Sequence, residues 1–212
     1  LVDPALAYLK AKGAAIRLGQ RVRKLTITGS RIASLNVGEE TQLGTKDSVV
    51  LAVPPWVAAE LLPGLKTPTE HSAIVNAHYL IAPPAGVPAL VGLIGGTAQW
   101  VFAFSDRISV TVSGADQLVD LDRESLAKTL WRDVAAVHGM GEGLPPWQIV
   151  KEKRATFAAT PEQDAMRPNA ATSFANLVLA GDWTQTGLPA TIEGAIRSGH
   201  RAAQLALRRH SL

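Results

Sequence analysis

The stretch 176-NLVLAGDWTQTGLPATIEGAIRSGHRAA-203 decides how this chain is read. Residues 176–180 form a continuous apolar run, and a run of that length suits a strand covered on both faces of a sheet. It ends on Gly181-Asp182, crosses a polar turn and reopens as a helical pattern beginning around Pro189 and Thr191. Beyond the turn Ile192, Ala195, Ile196, Gly199, Ala203 and Ala206 recur at helical spacing, which predicts a small-residue face packed close against the sheet. Pro189 suits a first helical turn and Thr191 suits a cap. A helix start presents unpaired N–H groups and the positive end of the helix dipole, a ready anion site. Asp182, at the strand's end, is placed to accept hydrogen bonds from sugar-like hydroxyls. The same residues also read as an ordinary strand–turn–helix with a capping Asp, and the spacing leaves both open.

Upstream, residues 4–12 predict a helix stopped by Gly13, and residues 14–18 a short strand. "RVRKLTITGSRIASLNV" predicts a hairpin turning at Gly29-Ser30, with a third strand over 42–45. "SVVLAVPP" predicts a buried strand halted by two prolines, which cannot donate ladder hydrogen bonds, followed by a short helix over 56–62. Residues 71–81, 89–94, 99–104 and 107–113 predict successive antiparallel strands. An amphipathic helix over 122–138 places Leu126, Leu130, Val134 and Val137 in register, and residues 148–157 predict another strand. The whole is a mixed α/β (α+β) chain: an antiparallel middle between strand–helix ends that look like donations to a parallel sheet.

Composition narrows the function classes. The chain has 212 residues, 47% of them hydrophobic and 18% charged, enough for a sizeable core. It contains no cysteine, which removes disulfides, thiolate nucleophiles and Cys-ligated metals and fits a cytoplasmic location. The net charge is +3, with scattered basic residues not interleaved with aromatics, so nucleic acid is not an expected partner. No apolar run approaches the roughly 20 residues that span a bilayer. The five histidines lack metal-ligand spacing; His71 and His78 read as surface or satisfied core residues. "GMGEG" (residues 139–143) follows a helix and precedes Pro145-Pro146, the wrong context for a dinucleotide loop. "GLIGG" (residues 92–96) reads as a hairpin turn. The opening "LVDPALAYLK" starts inside a helical pattern with no initiator Met, as a piece of something longer would.

The closing stretch "LAGDWTQTGLPATIEGAIRSGHRAA" resembles the C-terminal flavin-binding motif of the flavin amine oxidase and phytoene desaturase superfamily. "GLIGGTAQWVF", "KEKRATFAATPEQDAMRP" and "GDWTQTGLPATIEGAIRSG" look like one branch of it, the squalene-associated FAD-dependent desaturases or hydroxysqualene dehydroxylases. The resemblance runs over essentially the whole chain and implies an FAD cofactor. By that resemblance Gly181-Asp182 ends the flavin strand, and Asp182 bonds the ribityl hydroxyls or lies by the pyrophosphate. The turn through Pro189 leads to Thr191, Ile192 and Glu193, whose backbone would approach the flavin's pyrimidine edge, and Ala195 allows close approach. Val22 matches the position whose backbone contacts the adenine. The superfamily's glycine-rich loop precedes everything present here, so the chain is expected to be the second half of an enzyme. Alone it is expected to hold FAD poorly and to be inactive, its partner being the missing N-terminal half of the same chain.

The domains expected on this basis are 1–53, a partial FAD-domain segment with the meander; 54–157, the substrate-binding antiparallel sheet with its helices; and 158–212, the strand–Gly-Asp–helix flavin segment. The implied reaction is reductive removal of the hydroxyl of hydroxysqualene, an apolar isoprenoid, giving squalene for hopanoid synthesis. A leaving hydroxyl needs a proton donor, and no residue identifies itself as one; Lys153, Arg154 and Asp164 read as structural. Val91, Leu93, Val101, Phe102, Phe104, Val110 and Val112 read either as core or as the wall of a substrate tunnel. An apolar substrate also suggests peripheral contact with the inner face of the membrane. The alternatives are a flavin amine oxidase, against which the closing motif offers Trp183 in place of an aromatic pair, and a non-catalytic binding module retaining the substrate-domain fold.

Overall fold

Helix α1 (Val2–Ala11) opens the described part of the chain, residues 2–209 of a computed structural model. It stops where Gly13 takes a φ of +82°, a conformation glycine enters without steric cost. The strand expected over 14–18 is not formed. Those residues are irregular and Leu18 is 80% exposed, and without a pairing partner an isolated strand leaves its backbone groups to water. Strands β1 (Lys24–Thr28) and β2 (Arg31–Asn36) make the expected hairpin, turning at Gly29 with a φ of +58°. The third strand, β3 (Glu40–Gln42), begins earlier than expected. Glu40 pairs with Asn36 and its carboxylate accepts the Ser34 hydroxyl at 2.5 Å, while the Gly44 amide bonds the Asp47 carboxylate and turns the chain away. Strand β4 (Val49–Leu51) ends before the two prolines, and α2 (Pro55–Leu61) starts on the second, where a missing N–H costs nothing.

The middle of the chain builds β5 (His71–Tyr79), β6 (Leu90–Gly92), β7 (Trp100–Ala103), β8 (Ile108–Ser113), α3 (Arg123–His138), β9 (Trp147–Phe157) and α4 (Pro161–Ala165). The strands form one antiparallel sheet in the order β6-β7-β8-β5-β9. Strict alternation puts Val75, Ala77, Tyr79, Val110 and Ile149 on the face that packs against Leu126, Leu130, Trp131 and Val134 of α3. Val101, Val110 and Val112 are therefore core, whereas Phe102 points to the other face. Val137 was expected on the packed stripe of α3 but is 44% exposed; Trp131 and Ala135 extend the stripe instead. Tyr79 is fully buried with its ring 5.0 Å from Trp131, and its hydroxyl donates to the Ala127 carbonyl at 2.7 Å. Asp122 caps α3 through the Ser125 amide, and Gly139 closes it in the left-handed conformation.

The chain then returns to β10 (Leu177–Leu179), which pairs parallel with β4, and ends its described course in α5 (Ile192–Arg209). Asn176, buried before β10, gives its carboxamide to both backbone groups of Ile32 and so ties the meander to the parallel pair. Helix α5 lies on β10, but not by the expected face. Gly194, Ser198 and Ala202 are buried with Leu205 and Ala206 beside them, while Ile192, Ala195, Ile196 and Ala203 are exposed. The smaller stripe wins because it brings the Ser198 hydroxyl within 2.8 Å of the Gly181 amide. Two compact units result, one made of residues up to Thr67 together with those from Met166 onward, the other of Pro68–Ala165. The mixed α/β class is as expected, with a five-stranded antiparallel sheet in one unit and a parallel strand pair with its helix in the other.

Candidate functional site

The turn between β10 and α5 is built around glycines and one arginine. Ala180 is the last residue on the ladder, its amide donating to the Leu51 carbonyl. Gly181 then takes a φ of +141°, and a Cβ there would stand 2.3 Å from the indole nitrogen of Trp183. That approach lets the buried Trp183 donate its Nε1–H to the Val53 carbonyl at 2.9 Å. The amide and hydroxyl of Thr184 both return to the Gly181 carbonyl, closing the turn. Arg167, only 8% exposed, binds the loop from beneath. Its guanidinium donates to the carbonyls of Asp182 (3.1 Å) and Thr184 (2.6 Å) and to the Thr186 hydroxyl (2.8 Å). A planar five-donor fork suits several oxygens converging from one loop.

The loop delivers the chain to a capped helix start. Thr191 accepts the Gly194 amide at 3.0 Å and donates its own hydroxyl to the Pro189 carbonyl. The amides of Ile192 and Glu193 have no intrahelical partner, as at any helix start. Gly194 admits no side chain comfortably, since a Cβ there would meet the Pro189 oxygen at 3.2 Å. Glu193 sits at the positive end of the dipole and pairs with Arg197 one turn along at 2.6 Å. Beside the first turns lies a cavity of about 280 Å³, lined by Thr184, Gln185, Thr186, Arg197, Ser198 and Arg201. The Asp182 carboxylate is half-buried and has no hydrogen bond or ion pair among the described residues.

The structure thus brings Gly181, Asp182, Pro189, Thr191, Ile192, Glu193 and Ala195 onto one turn and the helix it starts. Pro189 is not in the first helical turn; it lies before the cap and serves through its carbonyl. Val22 is elsewhere in the same unit, just ahead of β1, and no hydrogen bond or ion pair links it to the turn. Three residues that organise the site carried no signal in the sequence: Arg167, Asn176 and Ser198. Each acts on a backbone group distant along the chain, and no local pattern marks such a bond. Lys153 forms an exposed ion pair with Asp120 at 2.9 Å, and this neighbour holds the Asp120 carboxyl below its usual range. Among the described residues no group of His, Cys, Asp and Glu is arranged to hold a metal. Nor is any helix among them long and apolar enough to cross a membrane.

The chain is similar to several known proteins. A hydroxysqualene dehydroxylase of Rhodopseudomonas palustris is 57% identical over 209 residues, covering 98% of this chain and 50% of the relative. One from Sinorhizobium fredii is 53% identical over 98% of this chain and 50% of its own length. The chain spans about half the length of the curated relatives it matches. Among solved structures, an oxidoreductase from Methanosarcina mazei superposes with a TM-score of 0.71 at 16% identity, covering 95% of this chain and 53% of that one, a likeness of fold alone. The model of the family described as flavin containing amine oxidoreductase matches residues 2–207, and the chain belongs to that family.

Proposed function

We propose that this chain is the part of an FAD-dependent oxidoreductase that receives the flavin edge and the substrate, and that the whole protein reductively removes the hydroxyl of hydroxysqualene to give squalene. The match to the R. palustris dehydroxylase along nearly the full chain carries this reading. The turn fits the cofactor. It offers one carboxylate without a partner among the described residues and two amides at a capped helix start that no helix carbonyl takes.

In this role Asp182 accepts hydrogen bonds from the ribityl hydroxyls, and the amides of Ile192 and Glu193 with the dipole of α5 favour negative charge on the pyrimidine edge. Arg167 and Ser198 hold that turn in place before anything binds. Bound FAD, once reduced, supplies hydride to the carbon that loses its hydroxyl. Residues 1–53 and 158–212 belong to the cofactor side on this reading, with Val22 near the adenine, and residues 54–157 to the substrate side. The remaining part of the relatives' length would supply the glycine-rich pyrophosphate loop. A lipid-dwelling substrate favours a cytoplasmic protein in peripheral contact with the membrane's inner face.

The test is visible absorbance after incubation with FAD and desalting, for the 212-residue chain and for a protein of the relatives' full length. A yellow long protein beside a colourless short one, followed by squalene formation from hydroxysqualene, is the expected outcome. Retention of flavin by neither overturns the reading and leaves a non-catalytic binding module.

A further inference from the structure

We propose that Arg197 keeps the start of α5 open for the flavin edge by holding the Glu193 carboxylate away from it. This rests on the function proposed above and concerns residues of one unit only. Thr191 caps α5, so Ile192, Glu193 and Gly194 are its first three helical residues, and the Thr191 hydroxyl oxygen takes the Gly194 amide. The amides of Ile192 and Glu193 have no acceptor among the described residues. A carboxylate in a first turn is drawn to such amides by its charge and by the helix dipole, and a capping box closes on itself in that way. Glu193 stands in that turn on a side chain long enough to fold back. It is held by Arg197 instead, whose Nε–H donates to Glu193 Oε1 at 2.6 Å.

The direction of that bond gives it a role. Both side chains are more than half exposed, so the pair adds little to stability. The N–H groups of a helix point toward its N-terminus, and Arg197 lies one turn the other way. The bond therefore draws the carboxylate down the helix and leaves the amides uncovered. Arg197 and Arg201 both line the cavity beside these turns, so positive charge continues along the side to which Glu193 is drawn.

Without a base at position 197, the acid at 193 would compete with a negatively charged ligand edge for the two amides. Its charge would also oppose electron uptake by a ring bound there. With Arg197 in place the amides stay open and the carboxylate is neutralised. Arg197 is thus a positioning residue, acting on the cofactor through Glu193.

The experiment uses the long, flavin-loaded protein of the preceding test and reads flavin dissociation and the flavin's reduction potential, neither of which requires turnover. An exposed pair one turn apart contributes little to folding, so the variants should fold. Arg197→Gln should weaken flavin binding roughly threefold to tenfold and move the potential to more negative values. Adding Glu193→Gln to that variant should restore both, because the competing carboxylate is gone. Arg197→Lys should stay near the wild type, since an ammonium group can still hold the carboxylate. Unchanged binding and potential in Arg197→Gln overturn the proposal. Equal losses in the single and the double variant also overturn it, because Arg197 would then act by its own charge. A wild-type long protein that retains no flavin overturns the flavin reading and this proposal together.

Discussion

The two units differ in how they spend their apolar surface. In the middle unit Val75, Ala77, Val110, Leu130 and Val134 are all at 0% exposure, because one helix and one sheet face complete each other. In the unit carrying the β10–α5 turn the parallel pair leaves Val50 44% exposed, and α5 leaves Ile192 and Leu207 at 68% and 67%. Its buried strand residues Leu177, Val178 and Leu179 are joined by side-chain bonds to backbone: the Asn176 carboxamide to Ile32, Trp183 to Val53, and the Arg167 fork. Both regions bury apolar residues, and the second adds a buried arginine fork that ties its turn together. Substitutions should therefore fail in different ways in the two places.

The largest effect belongs to packing. Leu130→Ala removes a side chain from the centre of the α3–sheet core and should cost about 2–5 kcal/mol in chemical denaturation. The loss should appear as early unfolding of the middle unit; a cost below about 1 kcal/mol would mean that this core is looser than its burial indicates. Arg167→Met leaves the carbonyls of Asp182 and Thr184 without their charged donor, worth about 1.5–3 kcal/mol. Hydrogen exchange should accelerate in the 181–186 loop and leave β5 and β8 unchanged. Exchange that stays slow in the loop would show that Trp183 and Thr184 hold the turn alone.

Thr191→Ala removes the cap of α5 and should cost about 1 kcal/mol, seen as fraying at Ile192 to Ala195. Thr191→Ser should restore it.

The smallest effect at neutral pH concerns Tyr79. Burial pushes its phenol well above the ordinary tyrosine range, and the Asp133 carboxylate pushes the same way. A raised acid group is bound as the neutral form in the fold. Its contribution is fully present below the unfolded pKa of about 10 and is lost as pH rises beyond it. The middle unit should weaken in alkali above that point, and Tyr79→Phe should flatten the dependence while giving up the bond to Ala127. An unchanged alkaline profile would assign the dependence to other groups.

Much of this was legible in the residues. The alternation of 71–79 and 108–113, the Gly29-Ser30 turn and the stripe of Leu126, Leu130 and Val134 each follow from local period and turn chemistry. Where reading failed, a choice between near-equal local patterns was settled at a distance. Helix α5 carries two small-residue stripes, and the one through Ser198 is buried because Ser198 meets Gly181. Residues 14–18 look like a strand but have no ladder to join. Pro189 has the right chemistry for a helix start, yet the cap falls on Thr191.

By itself the sequence determined the element types, the strand–Gly-Asp–helix order of the candidate site and the resemblance to a flavin family, all of which depend on spacings within a few residues. Only the tertiary structure decided which face of α5 is buried, that Arg167 holds the turn, and that Asn176 binds Ile32. Such pairings join positions far apart along the chain. Their energies arise from desolvation and bond geometry that no local period encodes.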